Sequence, residues 1–362
     1  MHSMARLDRR HTRLLAADAA GIADAAAILR DGGLVAFPTE TVYGLGAHAL
    51  DAQAVRAIFA AKQRPADDPL IVHVANSNEL AQLGLHDPIT QLLGGRFWPG
   101  PLTLVVRKRA TVPPEVTAGL ETVGVRVPAH PVAQALLRAA QVPIAAPSAN
   151  LFGRPSPTRA QHVLDDLQGR IDAVLDGGQT SVGVESTIVD VSCTPPRLLR
   201  PGGLAAEAIE AVLGVALVSR TPAGEGPQTS PGQLPVHYSP RTPLTLIAGP
   251  PGPARDRLVR EVEASLAAGR RVGVLAVEED LHIVPSAARL EVVGAWADAA
   301  TVATRLFEAM RALDAANLDV LLARDVADPR AGLGRALADR LRRAARTVIE
   351  IEQIEQENFA RG

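Results

Sequence analysis

Apolar positions recur along this chain in two registers, and the alternation between them sets out its elements. Helical spacing of apolar residues runs over 22–30 and halts at Asp31-Gly32-Gly33, a glycine stop. A continuous apolar run at 34–37 then has strand length. Asp51 can cap a helix through Lys62 whose inward face is Val55, Ile58 and Phe59. A strand at 70–74 follows, then a helix opened by the Asn76/Glu79 capping box and another opened by Asp87-Pro88 that stops near Gly94-Gly95. Runs at 102–106, 122–127 and 143–146 read as sheet, with a helix over 131–140. Thr158 is placed to cap a helix through Leu167; strands at 171–175, 187–191 and 197–199 and a helix over 205–213 complete this half.

The pattern changes after Val218. Residues 219–243 are rich in proline, glycine, serine and threonine and lack apolar periodicity, which is the composition of a linker. They also carry Ser230-Pro231-Gly232 and His237-Tyr238-Ser239-Pro240. Beyond them strands (244–248, 271–277, 318–322) alternate with helices (254–268, 299–316, 333–345), the pattern of a small doubly wound α/β domain. The predicted organisation is therefore α/β throughout: a domain over 12–207, a linker over 219–243 and a smaller domain over 244–352. Arg335, Arg340, Arg342 and Arg343 read as a solvated face of the last helix.

Composition narrows the class. A chain of 362 residues with 47% apolar and 21% charged residues can bury two cores. No apolar run reaches the roughly 18 residues of a membrane span, and residues 1–13 have no signal-peptide apolar core, so a cytoplasmic location without membrane association is expected. The single Cys193 excludes an internal disulfide or a cysteine-cluster metal site. Net charge of −2 gives no global field for nucleic acid, so any phosphate site must be local. The chain holds 37 basic residues, yet Lys62 and Lys108 are its only lysines; a compact ammonium at Lys62-Gln63-Arg64 suits phosphate as a point charge.

The chemistry gathers in Phe37-Pro38-Thr39-Glu40-Thr41-Val42-Tyr43-Gly44-Leu45-Gly46 and in Lys62-Gln63-Arg64-Pro65. Hydroxyls, a phenol, glycines and cations between apolar runs describe an anion-binding cleft. Gly44-Leu45-Gly46 is a poor dinucleotide fingerprint, because six residues separate it from the preceding strand; the two glycines read instead as a bend that lets backbone approach substrate. No Walker loop, nucleophile elbow or metal-spaced histidine pair is present. What remains is a set of cations and polar groups at predicted strand ends, where ligands collect in α/β sheets: Lys62, Arg64, Arg126, Ser148, Asn150, Ser186 and Arg200. Ser148 and Asn150, two apart, would project from one side of an extended segment.

Those blocks, together with 69–74, Val123-Gly124-Val125-Arg126-Val127-Pro128, 146–150 with 153–157, Val184-Glu185-Ser186-Thr187-Ile188-Val189 and Arg200-Pro201-Gly202, resemble the YrdC/Sua5 family. The proline-rich segment with His237-Tyr238 and the α/β tail resembles its longer, two-domain Sua5 branch. The resemblance implies a YrdC-like twisted mixed sheet followed by a Rossmann-like C-terminal domain. It also implies a threonylcarbamoyl-AMP synthase, a nucleotidyltransferase that forms the adenylate and pyrophosphate from L-threonine, bicarbonate and ATP. Downstream t6A transferase machinery would then act on tRNA, and this chain itself would need no stable nucleic-acid binding.

By the same resemblance Lys62 and Arg64 are catalytic and bind ATP with Thr122, Ser148, Asn150, Ser156, Arg200 and Tyr238, while Thr41, His73, Arg126 and Ser186 hold threonine or its carbamate. Magnesium is expected with ATP, with no protein metal site of its own. The segment with Tyr238 would lie over the cleft. Asp68 stands where relatives often carry asparagine, and its charge near a triphosphate needs compensation by Arg64 or magnesium. Lys62 and Arg64 are expected to be replaceable with little loss of fold. The alternative is a non-catalytic RNA-binding module on the same basic surface, which 3% aromatic content argues against. The YrdC-like module of hydrogenase-maturation carbamoyltransferases is disfavoured by the missing cysteine pairs.

Overall fold

The computed structural model describes residues 11–85, 87–219 and 237–351. The chain divides into two compact units between residues 235 and 236. The first unit opens with β1 (Arg13–Ala16), α1 (Ala19–Arg30), β2 (Val35–Phe37), β3 (Gly44–His48), α2 (Ala52–Lys62) and β4 (Ile71–His73). It continues with α3 (Pro88–Phe97), β5 (Leu102–Arg107), α4 (Pro114–Thr117), β6 (Thr122–Arg126), α5 (Pro131–Ala140) and β7 (Ile144–Ala145). It closes with α6 (Ala160–Leu167), β8 (Ala173–Asp176), β9 (Thr187–Asp190), β10 (Arg197–Arg200), α7 (Ala206–Leu213) and β11 (Val218–Ser219). The eleven strands form one mixed sheet in the order β1-β8-β2-β3-β7-β4-β6-β5-β9-β10-β11.

Period-two alternation divides the core between the two faces of that sheet. Val35 and Phe37 of β2 pack with Ala25 and Leu29 of α1 and with Ala133, Leu136 and Leu137 of α5. Leu34 and Ala36 belong to the opposite cluster, with Val55 and Ile58 of α2, Val72 and Val125. Asp51 caps α2 by accepting from the amides of Gln53 and Ala54, and the helix ends where Gln63 turns left-handed at φ 55°. That stop fixes Lys62 in the last turn and starts the chain toward Arg64.

Several local expectations need correction. Gly44 and Gly46 lie within β3 rather than in a bend, paired antiparallel with Phe37 and Val35. A Cβ on Gly46 would come within 2.8 Å of Ile144 and 2.9 Å of the Phe37 ring, so glycine serves close packing across the sheet and not a turn. Thr158 does not cap α6; Arg159 occupies that position without a side-chain cap, and the Thr158 amide meets His162 Nδ1 at 3.3 Å. The Asn76 segment forms a 3-10 helix (Ser77–Gln82), with Glu79 accepting from the Ala75 amide instead of closing a capping box. Strand β1 and the short α4 were not legible in the apolar pattern.

The second unit consists of β12 (Leu244–Ala248), α8 (Pro251–Ala267), β13 (Val272–Ala276), β14 (Arg289–Val292), α9 (Ala299–Asp314), β15 (Val320–Arg324), α10 (Gly332–Ala344) and β16 (Thr347–Glu350). Its five strands are all parallel, in the order β14-β13-β15-β12-β16. This is the expected doubly wound domain with two further strands, β14 and β16. Arg340 corrects the reading of the last helix as wholly solvated: it is fully buried, its guanidinium 5.1 Å from the centroid of the Tyr238 ring. Among the described residues no helix is long and apolar enough to cross a membrane.

Candidate active site

The register of the first sheet brings the polar side chains together. β4 and β6 run parallel with His73 opposite Arg126. Arg126 donates from Nη1 to Thr41 Oγ1 at 2.9 Å and from Nε to the Gly100 carbonyl at 3.3 Å, and its Nη2 lies 2.8 Å from Glu40 Oε1. Thr39 holds the loop that presents Thr41: its hydroxyl donates to the Val42 carbonyl and lies 2.8 Å from the Thr41 hydroxyl. Arg126, Glu40, Thr41 and His73 are all buried.

Electrostatics within this group follow from burial. Desolvation is the largest single influence and works to raise the Glu40 carboxyl, but the Arg126 charge together with hydrogen bonding from Arg126 and backbone amides holds Glu40 below the usual carboxylate range. His73 is pushed down to about 3, first by burial and then by Arg126, so its imidazole is neutral at physiological pH. Its Nδ1 is buried with no hydrogen-bond partner. An unsatisfied polar atom beside a buried guanidinium marks where a polar ligand group would be accommodated.

A second group forms where α2 ends. The buried Lys62 ammonium donates to the backbone carbonyls of both Ser148 and Asn150, which ties the Ser-x-Asn segment to the helix. Arg64 donates to the carbonyls of Asp68 (3.2 Å) and Pro69 (3.0 Å) and lies 2.8 Å from the Asp68 carboxylate, both side chains being buried. Burial pushes the Asp68 carboxyl up against the pull of Arg64, Lys62 and Arg200. Arg64 thus supplies the compensation that the sequence demanded for Asp68. The buried Asn150 side chain donates to the carbonyls of Leu151 (2.7 Å) and Arg154 (2.9 Å), leaving its Oδ1 without a partner.

Ser186 connects with Arg200 rather than with Arg126. Arg200 donates to the Ser186 carbonyl at 3.0 Å and to its hydroxyl at 3.2 Å, and Thr103 Oγ1 lies 2.8 Å from that hydroxyl. Thr103 also lines a narrow cleft with Pro69, Thr117, Thr122 and Gly124. Ser156 is fully buried and donates to Glu185. Tyr238 belongs to the second unit, where it packs on Phe307 and His237 as well as Arg340; residues 220–236 of the expected linker lie outside the described residues.

Glu40, Thr39, Thr103 and Glu185 were missed as site groups, although Thr39 and Glu40 immediately precede Thr41 and Glu185 immediately precedes Ser186. The available signal was charge balance, since cations buried at strand ends require counter-charges. Among the described residues no group of three or more His, Cys, Asp or Glu side chains could hold a metal ion.

Comparison with known proteins places this arrangement. Residues 27–202 match the Sua5–YciO–YrdC domain model, described as telomere recombination, and residues 204–346 match the C-terminal domain of threonylcarbamoyl-AMP synthase. The threonylcarbamoyl-AMP synthase of Pyrococcus abyssi (strain GE5 / Orsay) is 45% identical over 331 residues, covering 89% of this chain and 93% of the relative. That of Bacillus subtilis (strain 168) is 46% identical over 327 residues, covering 90% and 92%. The crystal structure of P. abyssi Sua5 complexed with L-threonine matches with a TM-score of 0.88 at 41% identity, covering 94% of this chain and 100% of that one. The chain belongs to the YrdC/Sua5 family, in its two-domain Sua5 form.

Proposed function

We propose that this protein is a threonylcarbamoyl-AMP synthase, with its chemistry in the first unit. The observation that carries the reading is the likeness, over nearly the whole chain, to a Sua5 solved with L-threonine. The threonine amine adds to bicarbonate to give a carbamate and water. A carbamate oxygen then attacks the α-phosphorus of ATP, the bond from that phosphorus to the pyrophosphate oxygen breaks, and pyrophosphate leaves. Two anions must approach one another, so fixed cations offset the repulsion and the charge spreading over the phosphates. Positioning supplies much of the remaining rate.

The two buried groups divide this work. Arg126 is the partner for the threonine carboxylate, sharing its guanidinium with Glu40, while Thr41 and the neutral His73 offer uncharged hydrogen bonds. Lys62, Arg64 and Arg200 face the phosphates with Ser148, Asn150, Ser156 and Thr122, and Ser186, bonded to Arg200, stands where the carbamate meets ATP. Magnesium arrives on the triphosphate as MgATP and requires no carboxylate cage from this chain. The adenylate passes to t6A transferase machinery acting on tRNA, which goes with a cytoplasmic location.

Calorimetric titration with L-threonine tests the assignment of Arg126. Arg126→Gln removes a charge-assisted contact of roughly 1.5–3 kcal/mol and is expected to weaken threonine about tenfold or more. Threonine binding unchanged in that variant would move the amino-acid site elsewhere.

A further inference from the structure

The second unit contains a cavity of about 480 Å³, within the size range of small-molecule sites. Its walls come from Gly249, Pro250 and Pro251 after β12, from Asp328, Pro329 and Arg330 after β15, and from Trp296 and Ile351. β12 and β15 are adjacent and parallel, yet the helices that follow them lie on opposite faces of the sheet. On one face Ala254, Leu258 and Val262 of α8 pack with Val272, Val274 and Leu322. On the other, the missing side chain at Gly273 leaves room for Leu313 of α9, and α10 packs beside α9. The cavity therefore stands at a topological switch point, where open α/β sheets bind ligands at the carboxyl ends of their strands.

Its chemistry differs from that of a phosphate site. The loop into α8 reads Gly249-Pro250-Pro251-Gly252-Pro253, so three of five residues at this helix start lack the amide hydrogen with which such a turn would cradle phosphate. Apart from the Asp328–Arg330 ion pair, the wall is apolar and aromatic instead. Trp296 is held by the Arg324 guanidinium, 4.9 Å from its ring centroid, and Arg324 is itself paired with the buried Asp280 at 3.0 Å. Gly249, at φ +144°, has no room for a side chain, since a Cβ would lie 2.6 Å from the Ile351 carbonyl oxygen.

Beside this wall is an unmet acceptor. Asp325 is 3% exposed; one carboxylate oxygen accepts from the Gly249 amide at 3.2 Å, and the other, Oδ1, has no hydrogen-bond partner. A buried oxygen of this kind calls for a donor. We propose that the cavity between the 249–251 and 328–330 loops binds a planar, phosphate-free nitrogen heterocycle of the purine nucleoside kind, its ring on Trp296 and an N–H directed to Asp325. It is a site separate from the synthase centre, carried by residues of the second unit alone.

Adenosine is the probe. Titrated into the full-length protein, it is expected to quench tryptophan emission saturably, and to do so even with ATP and threonine at saturation. Trp98 is the only other tryptophan, so Trp296→Phe should remove the response. Asp325→Asn should weaken adenosine roughly tenfold, the loss of one hydrogen bond to a charged group, with threonine-dependent pyrophosphate release unchanged. ATP, whose phosphates this loop cannot cradle, should compete poorly. Absence of saturable quenching up to millimolar adenosine, persistence of the response in Trp296→Phe, or its displacement by ATP would each overturn the proposal.

Discussion

Lys62, proposed above for the phosphates, is also part of the fold. It is 1% exposed and holds the Ser148 and Asn150 carbonyls, so it cannot be replaced with little loss of fold, as its place on the helix had suggested. Lys62→Met is expected to lower stability by roughly 1–3 kcal/mol, the cost of leaving buried acceptors unmet, and to abolish most turnover. A urea midpoint equal to that of the unaltered protein would contradict this. Arg64 is bound in the same manner to Asp68, and removing one partner from a buried pair costs about 3–5 kcal/mol. His73 gives a pH test. Its folded value of about 3 lies below the ordinary 6.5, so the unfolded chain takes up the extra proton, and stability declines as pH falls from the ordinary value toward the folded one. His73→Gln should flatten the fall in melting temperature over that window; an unaltered slope would show that His73 is not held neutral in the fold.

At the scale of elements, legibility followed burial. Helices with a clear stripe and a start signal, such as α2 behind its cap Asp51 and α5 opening on Pro131, were readable because local propensity and tertiary packing agree there. β3 was hidden because glycine is a poor strand former, and only the Phe37 ring and Ile144 across the sheet explain why it is required. β1 carries two exposed residues before its buried Leu15, so its alternation was too weak to register. The proposed site residues were drawn from motif resemblance, whereas Glu40, paired with Arg126, and Glu185, the acceptor for Ser156, were not, because pairing across the fold leaves no local period. Gly202 offers a test of the loop after β10: a Cβ there would lie 2.3 Å from the Ser186 carbonyl carbon and 2.4 Å from the Glu185 oxygen. Gly202→Ala must separate the Arg200 loop from Ser186, and a loss of roughly 1–3 kcal/mol with reduced turnover is expected. Wild-type stability and activity in that variant would refute the close packing.

At the scale of the molecule, one unit gathers the buried cations in a mixed sheet, and the other is a parallel sheet with its own cavity. The sequence suggests a division at the proline- and glycine-rich stretch, which has no apolar period. Net charge of −2 remains compatible with an anion-binding centre, since its cations are buried beside buried carboxylates and contribute to a local field. The reading as a synthase stands on one coupled reaction, which can be followed as pyrophosphate released from ATP by the full-length protein. Release should require L-threonine and bicarbonate together and fall to background when either is omitted. Release that proceeds equally without threonine would contradict the account.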